Sequence, residues 1–161
     1  MPIPKLLILL AMGVIAISNA TADVTEPPQT HAAMKVATIT KMYEQDINNQ
    51  GMDNPVVLQQ YANPDLQAAM KLEQDYFDKE QISCHIGYDV LWNSQDPDYE
   101  QEKEFSITEQ GLVKISLAQG SNVYYDLSCD CMNKEIKCQV ADVIMDEDGA
   151  SLREYLLETC R

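Results

Sequence analysis

The sequence predicts an α+β fold in which N-terminal helices and a C-terminal helix pack on a curved antiparallel sheet, a cone-like arrangement. Three observations point to it. Apolar residues step at a period near 3.6 from Thr30 onward, they switch to alternation after Gln81, and an S-x-x-E capping box at Ser151 opens a helix near the end. Alternation with one polar side leaves a sheet covered on one face only, so the helices must supply the cover.

The N-terminus pairs Lys5 with the apolar run Leu6 to Ile17 and then the small-x-small string Ala20-Thr21-Ala22, the pattern of an export signal. The run is shorter than the roughly 20 residues that a spanning helix needs. Residues 1–22 therefore read as a signal peptide, with cleavage after Ala22 and a mature chain that begins at Asp23 in the periplasm or outside the cell. Asp23 to Gln29, with Pro27 and Pro28, has little to bury and reads as a disordered leader. Residues 30–161 read as one α+β domain.

Within that domain Ala32, Val36, Ile39, Tyr43 and Ile47 form one apolar stripe, which Thr30 can cap and Gly51 can end. Val57, Leu58 and Tyr61 follow Asn54-Pro55 as a second helical unit. Asn63-Pro64 restarts the helix as cap and first-turn proline, and Leu66, Ala69, Met70 and Phe77 continue its inner face. Strands are expected around Phe105 and Ile107, around Val113, Ile115 and Leu117, from Val123 to Cys129, and from Ile136 to Val143. Turns fit at Gln110-Gly111, Gln119-Gly120-Ser121 and Asn133-Lys134. Leu152, Tyr155, Leu156 and Cys160 share one side of the last helix.

Lys and Arg total 11 against 26 Asp and Glu, a formal charge of −15, and removal of Lys5 with the signal makes the mature chain more negative still. Such a chain is repelled by phosphate backbones, so no nucleic acid and no membrane is expected as a partner after signal cleavage. A basic protein, a cationic peptide or a divalent cation is favoured, beside the plainer reading that the charge keeps an exported protein soluble.

In the string DLSCDCMNKEIKC, Cys129, Cys131 and Cys138 lie close together, and Cys84 and Cys160 complete a set of five. An oxidising compartment favours disulfides over a thiolate metal site. The expected pairing joins Cys138 to Cys160, because Cys160 lies on the apolar side of a helix that must fold back on the sheet. Cys84 would then reach Cys129 or Cys131, with one cysteine left over.

The strings YDVLWNSQD (Tyr88 to Asp96) and CQVADVIMDEDGASLREYLLETC (Cys138 to Cys160), with the helix that begins near Thr30, resemble the small exported bacterial proteins grouped as domain of unknown function 3828. That family is similar in plan to the cone-shaped nuclear transport factor 2-like superfamily. The resemblance implies a cone-like fold and an exported habitat, and brings no activity with it.

A cone-type enzyme would set a carboxylate or imidazole inside its mouth, where apolar walls raise the pKa. Asp89, Asp142 and His85 are the candidates. Asp142 shares parity with Cys138 and Val140, although the preferred reading is that it bonds turn amides or faces water. His85 beside Cys84 suggests a thiol and base pair, against which neighbours on a strand point to opposite faces. Gln95, Asp96, Asp98 and Glu100 could ligate calcium, but Asp96-Pro97-Asp98-Tyr99-Glu100 lacks the glycine of an EF-hand loop. Asp96, Asp98, Glu100, Glu102 and Glu104 stand against Lys103 alone, beside Tyr99 and close to Trp92, as an acidic loop with aromatic anchors for a basic partner. No nucleophile motif, phosphate loop, metal set or cofactor motif is present. The expectation is an exported non-catalytic binding protein, such as an inhibitor or immunity protein acting on a periplasmic partner; the alternative is a small cavity enzyme or ligand carrier.

Overall fold

The computed structural model describes residues 30–84, 87–132, 135–145 and 149–161. The signal and leader segments, His85 and the turn at Asn133-Lys134 lie outside them.

Helix α1 (His31–Asn49) starts where the capping chemistry places it, with Thr30 Oγ1 accepting from Ala33 N at 3.2 Å. It stops at two left-handed residues, Gln50 at φ 51° and Gly51 at φ 69°, and Gly51 N–H donates to the Asp46 carbonyl at 3.0 Å. The short α2 (Val57–Tyr61) leads into α3 (Pro64–Glu80), where Asn63 accepts from Leu66 N at 3.0 Å and Pro64 fills the first turn.

Both stripes are shorter than expected. Ala32 is exposed and α1 is buried at Ile39, Met42, Tyr43 and Asp46; in α3 the burial ends after Ala69, and Phe77 stays 46% exposed. Periodicity fixes which side of a helix faces inward, whereas the extent of burial depends on how far the neighbouring layer reaches.

The sheet is an antiparallel meander in the order β1 (Lys103–Ile107), β2 (Val113–Leu117), β3 (Asn122–Met132), β4 (Glu135–Ile144). Val113, Ile115 and Leu117 point inward along β2, as do Val123, Tyr125 and Leu127 along β3. A bulge breaks the β3–β4 register: Asp126 pairs with Asp142 but Leu127 with Val140, so Ala141 is the extra residue. Cys138 and Val140 before the bulge and Val143 after it are therefore buried. Asp142, expected on the face of Cys138 and Val140, instead opposes the exposed Asp126, because the extra residue inverts the parity.

Helix α4 (Leu152–Thr159) keeps its capping box start, Ser151 Oγ accepting from Glu154 N at 3.0 Å, and buries Leu152 and Leu156. Asn63 N donates to the Val140 carbonyl at 2.7 Å, so the joint between α2 and α3 covers part of the edge of β4. Tyr43 lies at the centre of the core. Trp92, Phe105 and Tyr125 meet its ring edge-on at centroid distances of 5.2, 5.6 and 6.2 Å. Its hydroxyl donates to the Leu91 carbonyl at 2.5 Å and lies 3.0 Å from the Tyr125 hydroxyl.

The cysteines pair as Cys84–Cys160 and Cys129–Cys138, leaving Cys131 free and exposed. This overturns the expected Cys138–Cys160 bond. Register decides it for Cys138, which faces Cys129 across β3 and β4, while Cys160 after α4 meets Cys84. Two disulfides fit an oxidising, extracytoplasmic location. Among the described residues no helix is long and apolar enough to cross a membrane.

Candidate functional site

A cavity of about 210 Å³ lies where the end of α1, α2, α3, α4 and residues 88–91 meet. Asp46 follows Ile39 and Met42 at helical spacing, so its carboxyl group is carried inward, and it is 3% exposed. Oδ2 accepts from Trp92 Nε1 at 2.6 Å. Burial raises the Asp46 pKa above the usual carboxylate range; the indole bond opposes that shift and Asp53 adds to it. Asp89 enters from a tight turn in which Leu91 N donates to its Oδ1 at 2.9 Å and its backbone bridges to Ser94. Leu58, Leu91, Leu152 and Leu156 supply apolar wall, and Glu73 and Met70 come from α3.

A second cleft of about 310 Å³ adjoins this cavity, sharing Val56, Met70 and Glu73 with it and adding Asp53 and Phe77. The two form one trough. Asp46, Asp53, Glu73 and Asp89 line it, and among the described residues no Lys, Arg or His does. Val56 at its lip is 51% exposed. Such a surface accepts hydrogen bonds from cations and covers apolar stems.

Tyr99 joins the trough to the acidic segment. A Cβ at Gly51, in the cavity wall, would collide with the Tyr99 hydroxyl, so only glycine lets that ring lie there. Burial, followed by the charges of Asp46, Asp89 and Asp96, raises the Tyr99 phenol pKa. Asp96, Asp98, Glu100, Glu102 and Glu104 are all exposed. Ser94 Oγ accepts from Asp96 N at 3.1 Å and Glu100 N donates to Asp98 Oδ1 at 3.0 Å, so the segment is a run of local turns. It is not a loop throughout: Glu104 lies in β1.

Several sequence candidates take other places. Trp92, expected as a contact anchor, is 1% exposed, bonds Asp46 and receives Tyr99 edge-on at 5.4 Å, because an indole this large is worth more in the core. Tyr99 is half-buried by the same packing. Asp142 does not line the cavity. Its Oδ1 accepts from Val143 N at 2.8 Å and Arg153 N at 3.0 Å, and Ser151 Oγ donates to its Oδ2, so it fastens the start of α4 to β4. Cys84 is bound to Cys160, which removes the thiol from any pair with His85. Asp46 escaped the sequence reading; its signal is an acid in phase with Ile39 and Met42 on the buried side of α1.

Compared with known proteins, the chain matches no family model, no curated protein and no solved structure. Among the described residues no group of three or more His, Cys, Asp or Glu side chains could hold a metal ion.

Proposed function

We propose that the protein is an exported, non-catalytic binding protein that occludes a basic partner in the periplasm or outside the cell, as an inhibitor or immunity protein would. One observation carries the reading: Tyr99 links a trough whose lining includes Asp46, Asp53, Glu73 and Asp89 to the exposed acids of the segment from Asp96 to Glu104. A continuous field of one sign speeds encounter with the opposite sign and rejects like charge. The apolar lip at Val56 and Phe77 supplies the desolvated contact that charge alone lacks. We also read the helices on one face of the meander as the cone-like plan of the domain of unknown function 3828 family, and the N-terminal pattern as its export signal.

The test is association of the oxidised protein with a basic partner captured from envelope extract and then purified. Raising the salt, or replacing Asp98, Glu100 and Glu102 with Ser, is expected to slow association by about tenfold with little change in dissociation. A rate that ignores both changes sinks the reading.

The second reading is a small cavity enzyme or ligand carrier. It is favoured by Asp46, an acid of raised pKa in an apolar wall. It predicts that Asp46→Asn or Asp89→Asn abolishes turnover or uptake while the serine substitutions leave both unchanged.

A further inference from the structure

We infer that residues 95–101 form a strap that lifts off the core, with Tyr99 as its latch and the buried amide of Gln101 as the feature that keeps the closed state shallow. The ends of the strap are fixed. On one side Asp89 N donates to the Ser94 carbonyl at 2.8 Å, and on the other Ala118 N donates to the Glu102 carbonyl at 3.0 Å, just before β1 begins. Between these points the hydrogen bonds are local. Glu100 N donates to Asp98 Oδ1 at 3.0 Å, Gln101 N to the Asp98 carbonyl at 3.3 Å, and Lys103 Nζ to the Gln101 carbonyl at 3.0 Å. Among the described residues no hydrogen bond ties the strap to a helix, so the packing of its side chains holds it down.

Two side chains of the strap decide its position. Tyr99 meets the Trp92 indole edge-on at 5.4 Å, and its hydroxyl lies against Gly51 in the cavity wall. Gln101 is 7% exposed, yet neither its Nε2 nor its Oε1 has a hydrogen-bond partner. A primary amide placed so gives up its bonds to water and gains none in return, which opposes the closed state. When the strap lifts, the amide regains water. Gln95, Asp96, Asp98 and Glu100 are exposed already and resist the movement little. The ring contact therefore closes the strap and the amide opens it. That balance makes the open state more populated than the globally unfolded one.

The ground beneath the strap gives the movement its meaning. Trp92 is 1% exposed, and its indole N–H donates to Asp46 Oδ2 at 2.6 Å. Lys103 Nζ lies 5.5 Å from the centre of the indole ring, but it belongs to β1 and stays behind. Lifting Tyr99 uncovers the indole and widens the cavity along Gly51. The strap is thus a gate to the cavity whatever enters it, and the inference stands apart from the binding reading above.

The chain has one tryptophan, so a single indole N–H resonance reports on the gate. Its hydrogen exchange is followed by NMR on the oxidised, full-length mature protein in rising urea, beside a urea melt of each variant. At low urea the exchange is expected to be independent of urea and at least about tenfold faster than global unfolding allows, the mark of a local opening. Gln101→Met keeps the length of the side chain and removes the unbonded amide; it is expected to slow exchange about tenfold. Tyr99→Ala is expected to speed it about tenfold, and Gly51→Ala, whose Cβ would displace the Tyr99 hydroxyl, to act in the same direction. If Tyr99→Ala does not fold, Gly51→Ala serves in its place, and if neither folds Gln101→Met decides. Wild-type exchange that follows global unfolding at every urea concentration overturns the gate. So does local exchange that Gln101→Met fails to slow, or that the folded latch variant fails to speed.

Discussion

The indole N–H of Trp92 donates to Asp46 Oδ2 at 2.6 Å, between an acid that is 3% exposed and the largest side chain of the core. The bond holds a carboxylate where burial alone would expel its charge. It also places a titrating group in the cavity wall.

Its pH dependence has a definite sign. The Asp46 pKa is raised in the folded protein, chiefly by burial. The folded state therefore binds a proton in a range where the unfolded state has lost it, and stability falls as pH rises from the usual carboxylate range through the folded pKa. Asp46→Asn removes that loss and keeps an acceptor for Trp92. The variant should melt higher than wild type at pH 7, by a difference that shrinks toward pH 4, as followed by thermal denaturation across that range.

Tyr43 carries a different load. Its hydroxyl serves the Leu91 carbonyl and the Tyr125 hydroxyl, both in the core. Tyr43→Phe keeps the edge-on ring contacts and strands two buried polar groups. The expected loss is about 2 kcal/mol in denaturant unfolding, with Tyr43→Leu losing more because the aromatic contacts go as well. An unchanged midpoint for Tyr43→Phe would mean that another partner serves both groups.

Asp142 is expected to act on stability and not on chemistry. Asp142→Ala removes the acceptor for Arg153 N, Val143 N and Ser151 Oγ together. A cost of about 2 kcal/mol is expected, with partner association unaffected at temperatures where the variant is folded. A variant that stays as stable as wild type yet loses association would return Asp142 to the functional site.

Thiol titration checks the covalent frame. The denatured, unreduced protein should show one free thiol, Cys131, and the reduced protein five. Removing the Cys84–Cys160 bond, which spans a separation of 76, should cost about 4 kcal/mol in the chain-entropy model, and removing Cys129–Cys138, separated by 9, about 3 kcal/mol.

Most of the architecture was legible because local chemistry fixes it. Thr30, Asn63-Pro64 and Ser151 each start a helix where their side chains predict, and alternation locates β1 to β4. What escaped depends on relations between distant segments. The bulge at Ala141 inverts the parity of Asp142, the register of β3 and β4 decides the partner of Cys138, and the reach of the layers leaves Phe77 outside. Asp89, one of the carboxylates named from the sequence, lines the cavity from a turn in which its Oδ1 accepts from Leu91 N. Asp46 was passed over because a carboxylate within an apolar stripe looks like an interruption until the indole that receives it is seen.

On the export route proposed above, the bond between Cys84 and Cys160 has a consequence for the order of assembly. Strands β1 to β4 and α4 lie between its two cysteines. A chain that emerges N-terminus first offers Cys84 to the oxidising side with no native partner until the whole meander has followed. The closing bond is thus the last that translocation permits, and Cys129 with Cys138, which emerge almost together, can already be joined. Until that late closure, Cys84 is exposed to Cys129, Cys131 and Cys138 in turn as each arrives. An isomerase that undoes such premature pairs would set the pace of maturation.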